Sequence, residues 1–162
     1  MTAELEYSVD GRAGETLAPT LSAAHEIWVR EADRHLLPVA TQEEPFWTRW
    51  TTVRYLADQF MAQYRRECAL LLELHCFLPP DVAERLTLDG ERIGGLVADL
   101  DRVGRRRGSA HTVSVLSRRL LDAVRAWCAD IEAAAGSVRL DLLTPEAREP
   151  LLDLERYASI HA

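Results

Sequence analysis

Apolar positions recur at alternating steps of four and three residues over one long stretch of the chain. They are Phe46, Trp50, Val53, Ala57, Phe60, Tyr64, Leu71, Leu74 and Leu78. A seven-residue repeat of this kind places its side chains on one face of an α-helix. Pro45 and Pro79-Pro80 bound the stretch, and no glycine or further proline interrupts it. We therefore predict one helical rod over residues 45–78, roughly 50 Å long at a rise of 1.5 Å per residue.

One position of this repeat carries a carboxylate. Glu67 follows Tyr64 by three residues and precedes Leu71 by four, so it falls on the apolar face of the rod. An unpaired carboxylate that is buried costs several kcal/mol and would sooner bind a proton than stay charged. We therefore predict that Glu67 is buried or half-buried and is paired with an Arg or His of another helix.

The rest of the chain predicts further helices joined by short links. Apolar stripes and end signals place them at about 20–37, 89–107 and 109–135, with one or two turns over 81–86 and a last helix over 144–159 that Pro150 bends or shortens. Thr20 or Ser22 is expected to cap the first helix, and Pro38 to end it. Short links favour antiparallel neighbours. The predicted fold is all-α, an up-and-down four-helix bundle with one unusually long helix and an accessory C-terminal helix.

Residues 1–19 show no helical pattern. Apolar and polar residues alternate over 5–9 before the turn signal Asp10-Gly11, which predicts either a loose N-terminal arm or a short strand. A similar alternation over 138–142 offers a partner strand. The chain has 162 residues, long enough for one core, so residues 20–162 are expected to form a single helical bundle domain.

The charge balance makes a nucleic-acid partner unlikely on bulk electrostatic grounds. The formal net charge is −7, and residues 1–44 carry nine acids against three arginines. All nineteen basic residues are Arg, and the chain has no Lys and no Asn, a usage typical of GC-rich bacterial coding sequences. The lack of lysine excludes Schiff-base enzymes, P-loop nucleotide binding and Ser–Lys dyads.

Cysteine usage and the N-terminal residues indicate a cytoplasmic protein. Cys68 and Cys76 lie eight residues apart on the predicted rod, roughly 12 Å along its axis, too far for a disulfide in an intact helix. No CxxC pair suggests zinc or redox chemistry. Residues 1–11 have no features of a signal peptide, and no apolar run is long enough to span a membrane.

The main candidate for enzyme chemistry is a metal site between helices. Helical bundles bind metals through carboxylates and histidines, often as Glu-x-x-His, a motif that this chain lacks. The candidate ligands are His25, Glu31, His35, Glu67 and His75, which could converge if the first helix packs antiparallel against the second half of the rod. The alternative, favoured because the motif is missing, is that both early histidines are hydrogen-bonded at the core edge and Glu67 pairs with an Arg.

Two weaker candidates involve positive charge. Arg105, Arg106 and Arg107 form a basic run that would serve either as an anion patch or as a solvated helix end. His111, near the start of the predicted fourth helix, is either a neutral acid/base group or a surface residue of the cap region.

Aromatic residues crowd the first half of the rod. Trp50 falls on its apolar face, whereas Trp47 and Tyr55 fall outside it. The rod is longer than the other predicted helices, so part of its surface is expected to lack cover within the monomer. An uncovered apolar face is how a bundle forms dimers or binds a partner. We therefore predict an interface at Trp47, Trp50 and Tyr55.

Two functions remain open at this point. The first is a non-catalytic helical interaction module, self-associating and acting through a protein partner, with no cofactor and no membrane contact. The second is a bundle enzyme or sensor that holds a transition-metal ion or small ligand between its His and Glu residues. No nucleophile elbow, dinucleotide fingerprint, HExxH or EF-hand motif supports the second. Metal analysis of the purified protein would separate the two.

Overall fold

The protein is all-α in the part of the chain that the structure describes, which confirms the predicted class. The computed structural model describes residues 14–41, 46–105 and 109–161, and residues 46–50 by their backbone alone. Its α-helices are α1 (Ala18–Ala40), α2 (Phe46–Tyr55), α3 (Met61–Leu74), α4 (Pro80–Arg105), α5 (Ala110–Ala135) and α6 (Pro145–His161). A π-helical turn, Leu56–Phe60, joins α2 to α3. None of these helices is long and apolar enough to cross a membrane.

The predicted rod is helical through α2 and α3, but the π turn shifts its buried face. A π turn contains more residues than an α-helical turn, so the side chains after it are rotated relative to a regular seven-residue repeat. Leu56, which lies outside the repeat, is buried as a result, beside Phe60, which the repeat already places on the apolar face. Ala57, which the repeat places on the apolar face, is exposed. The predicted pattern resumes in α3, where Glu67 and Leu71 are buried.

Helix α3 ends where two prolines redirect the chain into α4. A 3-10 turn, His75–Phe77, is followed by Leu78 in an extended conformation (φ −106°, ψ 149°), which is the conformation favoured before proline. Pro80 then opens α4, which continues to Arg105 without interruption. The segments predicted separately over 81–86 and 89–107 are therefore one helix, because their buried residues share one face.

Helix α1 starts at Ala18, before the two residues predicted to cap it. The backbone amides of Leu17 and Ala18 donate to the carbonyl oxygens of Val138 and Gly136, at 3.0 and 3.1 Å. The first amides of a helix have no partner within it. The link between α5 and α6 therefore supplies the acceptors that a capping side chain would otherwise supply.

Two prolines lie inside helices close to an end. Pro38 is in the last turn of α1, which continues to Ala40, and Pro150 is in the second turn of α6. Each proline removes one helical hydrogen bond. Val39 and Leu151, which follow the two prolines directly, are buried, so tertiary packing favours continuing both helices.

The segment predicted as a strand over 138–142 instead contains a 3-10 turn, Leu140–Leu142, beside a β-bridge. Within the described residues the bridge joins Thr16 and Arg139 in antiparallel orientation. The amide of Leu140 also donates to the carbonyl oxygen of Glu15 at 2.9 Å. The other predicted strand, over residues 5–9, lies outside the part of the chain that is described.

An aromatic cluster joins three helical segments in the core. Helix α5 packs on α1 and α4, while α6 packs on α1 and α3. The ring of Trp28 lies 5.2 Å from that of Phe60 and 6.1 Å from that of Trp127, centroid to centroid. All three side chains are buried. This packing brings α1, the π turn that precedes α3, and α5 together near His25, one turn before Trp28.

Candidate functional site

Three polar side chains from different helices meet at the edge of the core. His25 of α1 lies between Glu67 of α3 and Glu132 of α5. Its Nε2 is 3.2 Å from Glu67 Oε2, and its Nδ1 is 2.7 Å from Glu132 Oε1. His25 is 2% exposed and Glu67 1% exposed, whereas the side chain of Glu132 is 36% exposed. We call these residues the Glu–His–Glu cluster. The prediction that Glu67 is buried and paired with a residue of another helix is confirmed.

The two contacts determine the protonation state of His25. A neutral imidazole has one N–H and one acceptor nitrogen, and a carboxylate only accepts. Both ring nitrogens face a carboxylate oxygen, so both donate only when the ring is protonated. Burial lowers the pKa of His25, but the hydrogen bonds and charges of Glu67 and Glu132 outweigh it and raise the pKa above 6.5. The geometry and the raised pKa therefore both favour the protonated form of His25.

The second oxygen of Glu67 also has a partner. Gln63, one turn earlier on α3 and fully buried, donates from Nε2 to Glu67 Oε1 at 2.8 Å. Arg66 in turn donates from Nη1 to Gln63 Oε1 at 3.3 Å. The Arg66 guanidinium lies 5.6 Å above the ring of Tyr157 on α6. Polar contacts thus continue from the Glu–His–Glu cluster to the junction of α3 and α6.

This arrangement leaves little for substrate chemistry. A general base needs a lone pair within hydrogen-bond reach of the substrate. Both nitrogens of His25 and both oxygens of Glu67 are already engaged within the chain. The cluster can hold α1, α3 and α5 in register, and proton loss from His25 would weaken that connection.

Of the five predicted metal ligands, the structure brings together His25 and Glu67. Glu31 and His35 form a separate pair on α1, with Glu31 Oε2 3.8 Å from His35 Nε2. His75 is exposed just after the end of α3. Across residues 14–41, 46–105 and 109–161, no group of three or more His, Cys, Asp or Glu side chains is placed to hold a metal ion.

Tyr55, one of the three predicted interface residues, is buried within the chain. It is 5% exposed, and its ring stacks on that of His35 with centroids 4.1 Å apart. Burial lowers the pKa of His35 and raises the pKa of Tyr55, so both groups are neutral at pH 7. The side chains of the other two, Trp47 and Trp50, lie outside the described part of the structure.

The basic run at the end of α4 is described only at its first residue. Arg105 is exposed, and its Nε donates to both carboxylate oxygens of Asp101, at 2.8 and 2.9 Å. Its charge is therefore balanced within its own helix. Arg106 and Arg107 lie outside the described residues. His111 is exposed near the start of α5 and, with Arg118 and Arg119, lines a surface hollow of about 380 Å³.

A mainly apolar groove of about 200 Å³ lies between α3 and α4. Tyr64, Leu71, Leu72, Gly90 and Trp127 are among its lining residues. The Tyr64 hydroxyl donates to the carbonyl oxygen of Gly90 at 2.9 Å. A Cβ at Gly90 would lie 3.1 Å from the Trp127 ring. The missing side chain at Gly90 therefore allows α4 to approach the indole closely.

Sequence reasoning missed two members of the polar network. Gln63 lies four residues before Glu67, a spacing at which helical side chains meet, so that pairing was open to prediction. Glu132 borders the apolar stripe of α5, four residues after Cys128. No feature of the sequence pairs it with the first helix.

Comparisons of this chain with protein-family models, with curated proteins and with solved structures find no match. The function must therefore be inferred from the residues and geometry described above.

Proposed function

We propose that the protein is a non-catalytic helical interaction module that self-associates and acts through a protein partner. The main support is the outer edge of α3 and the 3-10 turn that follows it, where Ala69, Leu72 and Cys76 are exposed. Leu72 is 71% exposed and also borders the groove between α3 and α4. An exposed apolar edge beside an apolar groove is typical of protein interfaces.

The Glu–His–Glu cluster supports a non-catalytic role. Catalytic groups with perturbed pKa values usually lie in a cleft that substrate can enter. The perturbed group here, His25, is enclosed and makes hydrogen bonds through both ring nitrogens. Its contacts favour a structural role in holding three helices together.

The proposal includes an up-and-down four-helix scaffold, a homo-oligomer and a cytoplasmic location. The short connection from α3 to α4 supports antiparallel packing of these helices. Cys68, Cys76 and Cys128 are free thiols, which are typical of proteins in a reducing compartment.

Sedimentation velocity from low to high micromolar concentration tests the proposal. We expect the weight-average sedimentation coefficient to rise with concentration as the chain self-associates. A wild-type protein that stays monomeric at high micromolar concentration would contradict self-association.

Elemental analysis of the same sample tests the alternative function. A metal- or ligand-binding bundle predicts stoichiometric iron, manganese or zinc, lost together in His25→Gln and Glu67→Gln variants. We expect metal well below one equivalent per chain. A stoichiometric metal that depends on both residues would replace the interaction module by the metal-binding function.

A further inference from the structure

We infer that the partner at the outer edge of α3 is a second copy of this chain. The two α3 helices run antiparallel about a two-fold axis near Leu72, and each Leu72 enters the other copy's groove between α3 and α4. This inference rests on the proposed function, since it names the surface through which the chain self-associates.

The surface is complementary to itself in shape. Leu72 projects into solvent beside the groove of about 200 Å³. An apolar cavity of about 150 Å³ is large enough to bind benzene, so the groove has room for a leucine side chain. Because the projecting side chain and the groove lie side by side, a two-fold axis between them places each Leu72 opposite the other copy's groove. Such an isologous contact closes at the dimer.

Charges at the two ends of this edge favour the antiparallel arrangement. Arg65 lies seven residues before Leu72, roughly 10 Å along α3. Asp81 and Glu84 lie beyond Leu72, in the first turns of α4. All three are exposed, and none forms an ion pair with another described residue. Antiparallel packing brings Arg65 of each copy toward the acidic turns of the other, whereas parallel packing would align like charges.

Leu37, another exposed leucine, lacks this combination. Leu37 lines a different hollow, on α1, together with the charged residues Arg30, Asp33 and Arg34. Single apolar residues of that kind are normal on protein surfaces. Leu72 differs because Ala69 and Cys76 extend its exposed face and the groove lies next to it.

Matched substitutions in the full-length chain test the surface. Leu72→Asp should raise the dimer dissociation constant about 30-fold or more, as for an interface hot spot. Leu37→Asp, the same change at an exposed leucine of α1, should leave the dissociation constant unchanged. Arg65→Glu should also weaken the dimer, and adding Glu84→Arg to that variant should restore it. Circular dichroism spectra identical to wild type would show that each variant is folded.

Thiol cross-linking tests the register. With α3 antiparallel about Leu72, Cys76 of one copy, in the 3-10 turn just after α3, lies near Cys68 of the other, since each is four residues along the chain from Leu72. A short bismaleimide should therefore give a covalent dimer that is lost in both Cys68→Ser and Cys76→Ser. Cys128→Ser, which changes a buried thiol, should keep it. A covalent dimer that persists in Cys76→Ser would overturn this register.

The remaining outcomes separate this inference from the proposed function. A wild-type dimer that Leu72→Asp leaves intact and Trp47→Glu dissociates would overturn the α3 surface while preserving self-association. A wild-type monomer would overturn both. A monomer that binds anilinonaphthalene sulfonate in a Leu72-dependent manner would show that the groove takes another apolar occupant, which also overturns both.

Discussion

A carboxylate group faces each ring nitrogen of His25, an arrangement that favours the protonated ring despite its burial. Burying ions is costly, and their mutual attraction offsets the cost only when the geometry is good and the remaining polar atoms are satisfied. Gln63 meets this condition by donating to the second oxygen of Glu67. The Glu–His–Glu cluster therefore adds little net stability, whereas the loss of one member leaves an unpaired group in the core.

We predict an unequal response to removal of its two most buried members. His25→Leu should destabilise the fold by about 3–5 kcal/mol, because it leaves the Glu67 carboxylate buried without a cation. Glu67→Leu should cost less, about 1–3 kcal/mol, because it leaves no unpaired carboxylate in the core: His25 keeps Glu132, although its Nε2 and the Gln63 amide each lose an acceptor. Urea unfolding of both variants measures the difference. Equal losses of unfolding free energy in the two variants, or a larger loss in Glu67→Leu, would contradict the assigned contacts.

Stability should fall as the pH rises above neutrality. The pKa of His25 is raised in the folded state above its ordinary value of 6.5. At a pH between 6.5 and the folded-state pKa, the folded chain therefore binds one proton more than the unfolded chain. Stability from the cluster is therefore complete below pH 6.5 and is lost as the pH rises through the folded pKa, by at most about 1.4 kcal/mol per pH unit.

The matched control for this pH dependence is His25→Gln. The difference in unfolding free energy between wild type and this variant isolates His25 from the other histidines. Burial raises the pKa of the neighbouring Cys128 thiol well above its ordinary value, so this thiol remains neutral in the same range. A difference that grows with pH would show that His25 is neutral in the folded protein.

At the scale of single elements, the glycines of α4 have different surroundings. A Cβ at Gly90 would lie 3.1 Å from the buried ring of Trp127, whereas one at Gly95 would meet no atom within 4 Å. The indole is held by a hydrogen bond of 2.9 Å from its Nε1 to the carbonyl oxygen of Leu86. The ring therefore has little freedom to move away from an added methyl group.

Two alanine substitutions should consequently have opposite effects. Gly90→Ala should destabilise by about 1–3 kcal/mol through overpacking against Trp127. Gly95→Ala should stabilise by about 0.5–1 kcal/mol, because alanine has the higher helix propensity and the site is open. Thermal unfolding measures both as shifts of about 2–4 °C per kcal/mol for a chain of this size. A stabilised Gly90→Ala variant would rule out the close packing at Trp127.

The π turn between α2 and α3 makes a second prediction at this scale. Deleting the exposed Ala57 should convert the wide turn to a regular α-helical turn, with the faces of α2 and α3 nearly preserved. Deleting Ala62, within α3, should instead rotate Glu67 and the rest of α3 relative to α2. We expect the first deletion to fold with a loss of about 1–3 kcal/mol and the second to unfold the chain. Circular dichroism with urea titration measures the stability of both variants. An equal loss of stability would show that the π turn does not accommodate the deletion better than α3 does.

At the scale of the whole molecule, the first half of the rod is the other predicted contact surface. Tyr55 belongs to the monomer core, which leaves Trp47 and Trp50 as the predicted interface residues of this region. If these two tryptophans contribute to the dimer interface, Trp47→Glu should weaken self-association while the helical content remains that of wild type. Sedimentation and circular dichroism of this variant, beside Leu72→Asp, show which surface the dimer uses. Unchanged association would remove the Trp47 region from the interface.

The sequence by itself determined the features that depend on local periodicity. The seven-residue spacing predicted helix over residues 45–78, and the described chain is α- or π-helical over 46–74, before the 3-10 turn and the extended Leu78. The position of Glu67 on that repeat predicted a buried, paired carboxylate. Both follow from the number of residues per helical turn, which is the same in every context. Departures from this regularity could not be read from the sequence. The exposure of Ala57 and the continuation of α1 past Pro38 are known only from the structure.

The tertiary structure decided which elements meet. His25 was one of five candidate ligands, and only the packing of α1 against α3 and α5 gave it two carboxylates, one of them the unpredicted Glu132. The same holds for the start of α1, whose first amides bond to Gly136 and Val138. Hydrogen-bond partners more than a hundred residues apart come together only when all the helices pack and bury their apolar surfaces against one another. No local pattern encodes that choice, because the free energy that selects it belongs to the whole core.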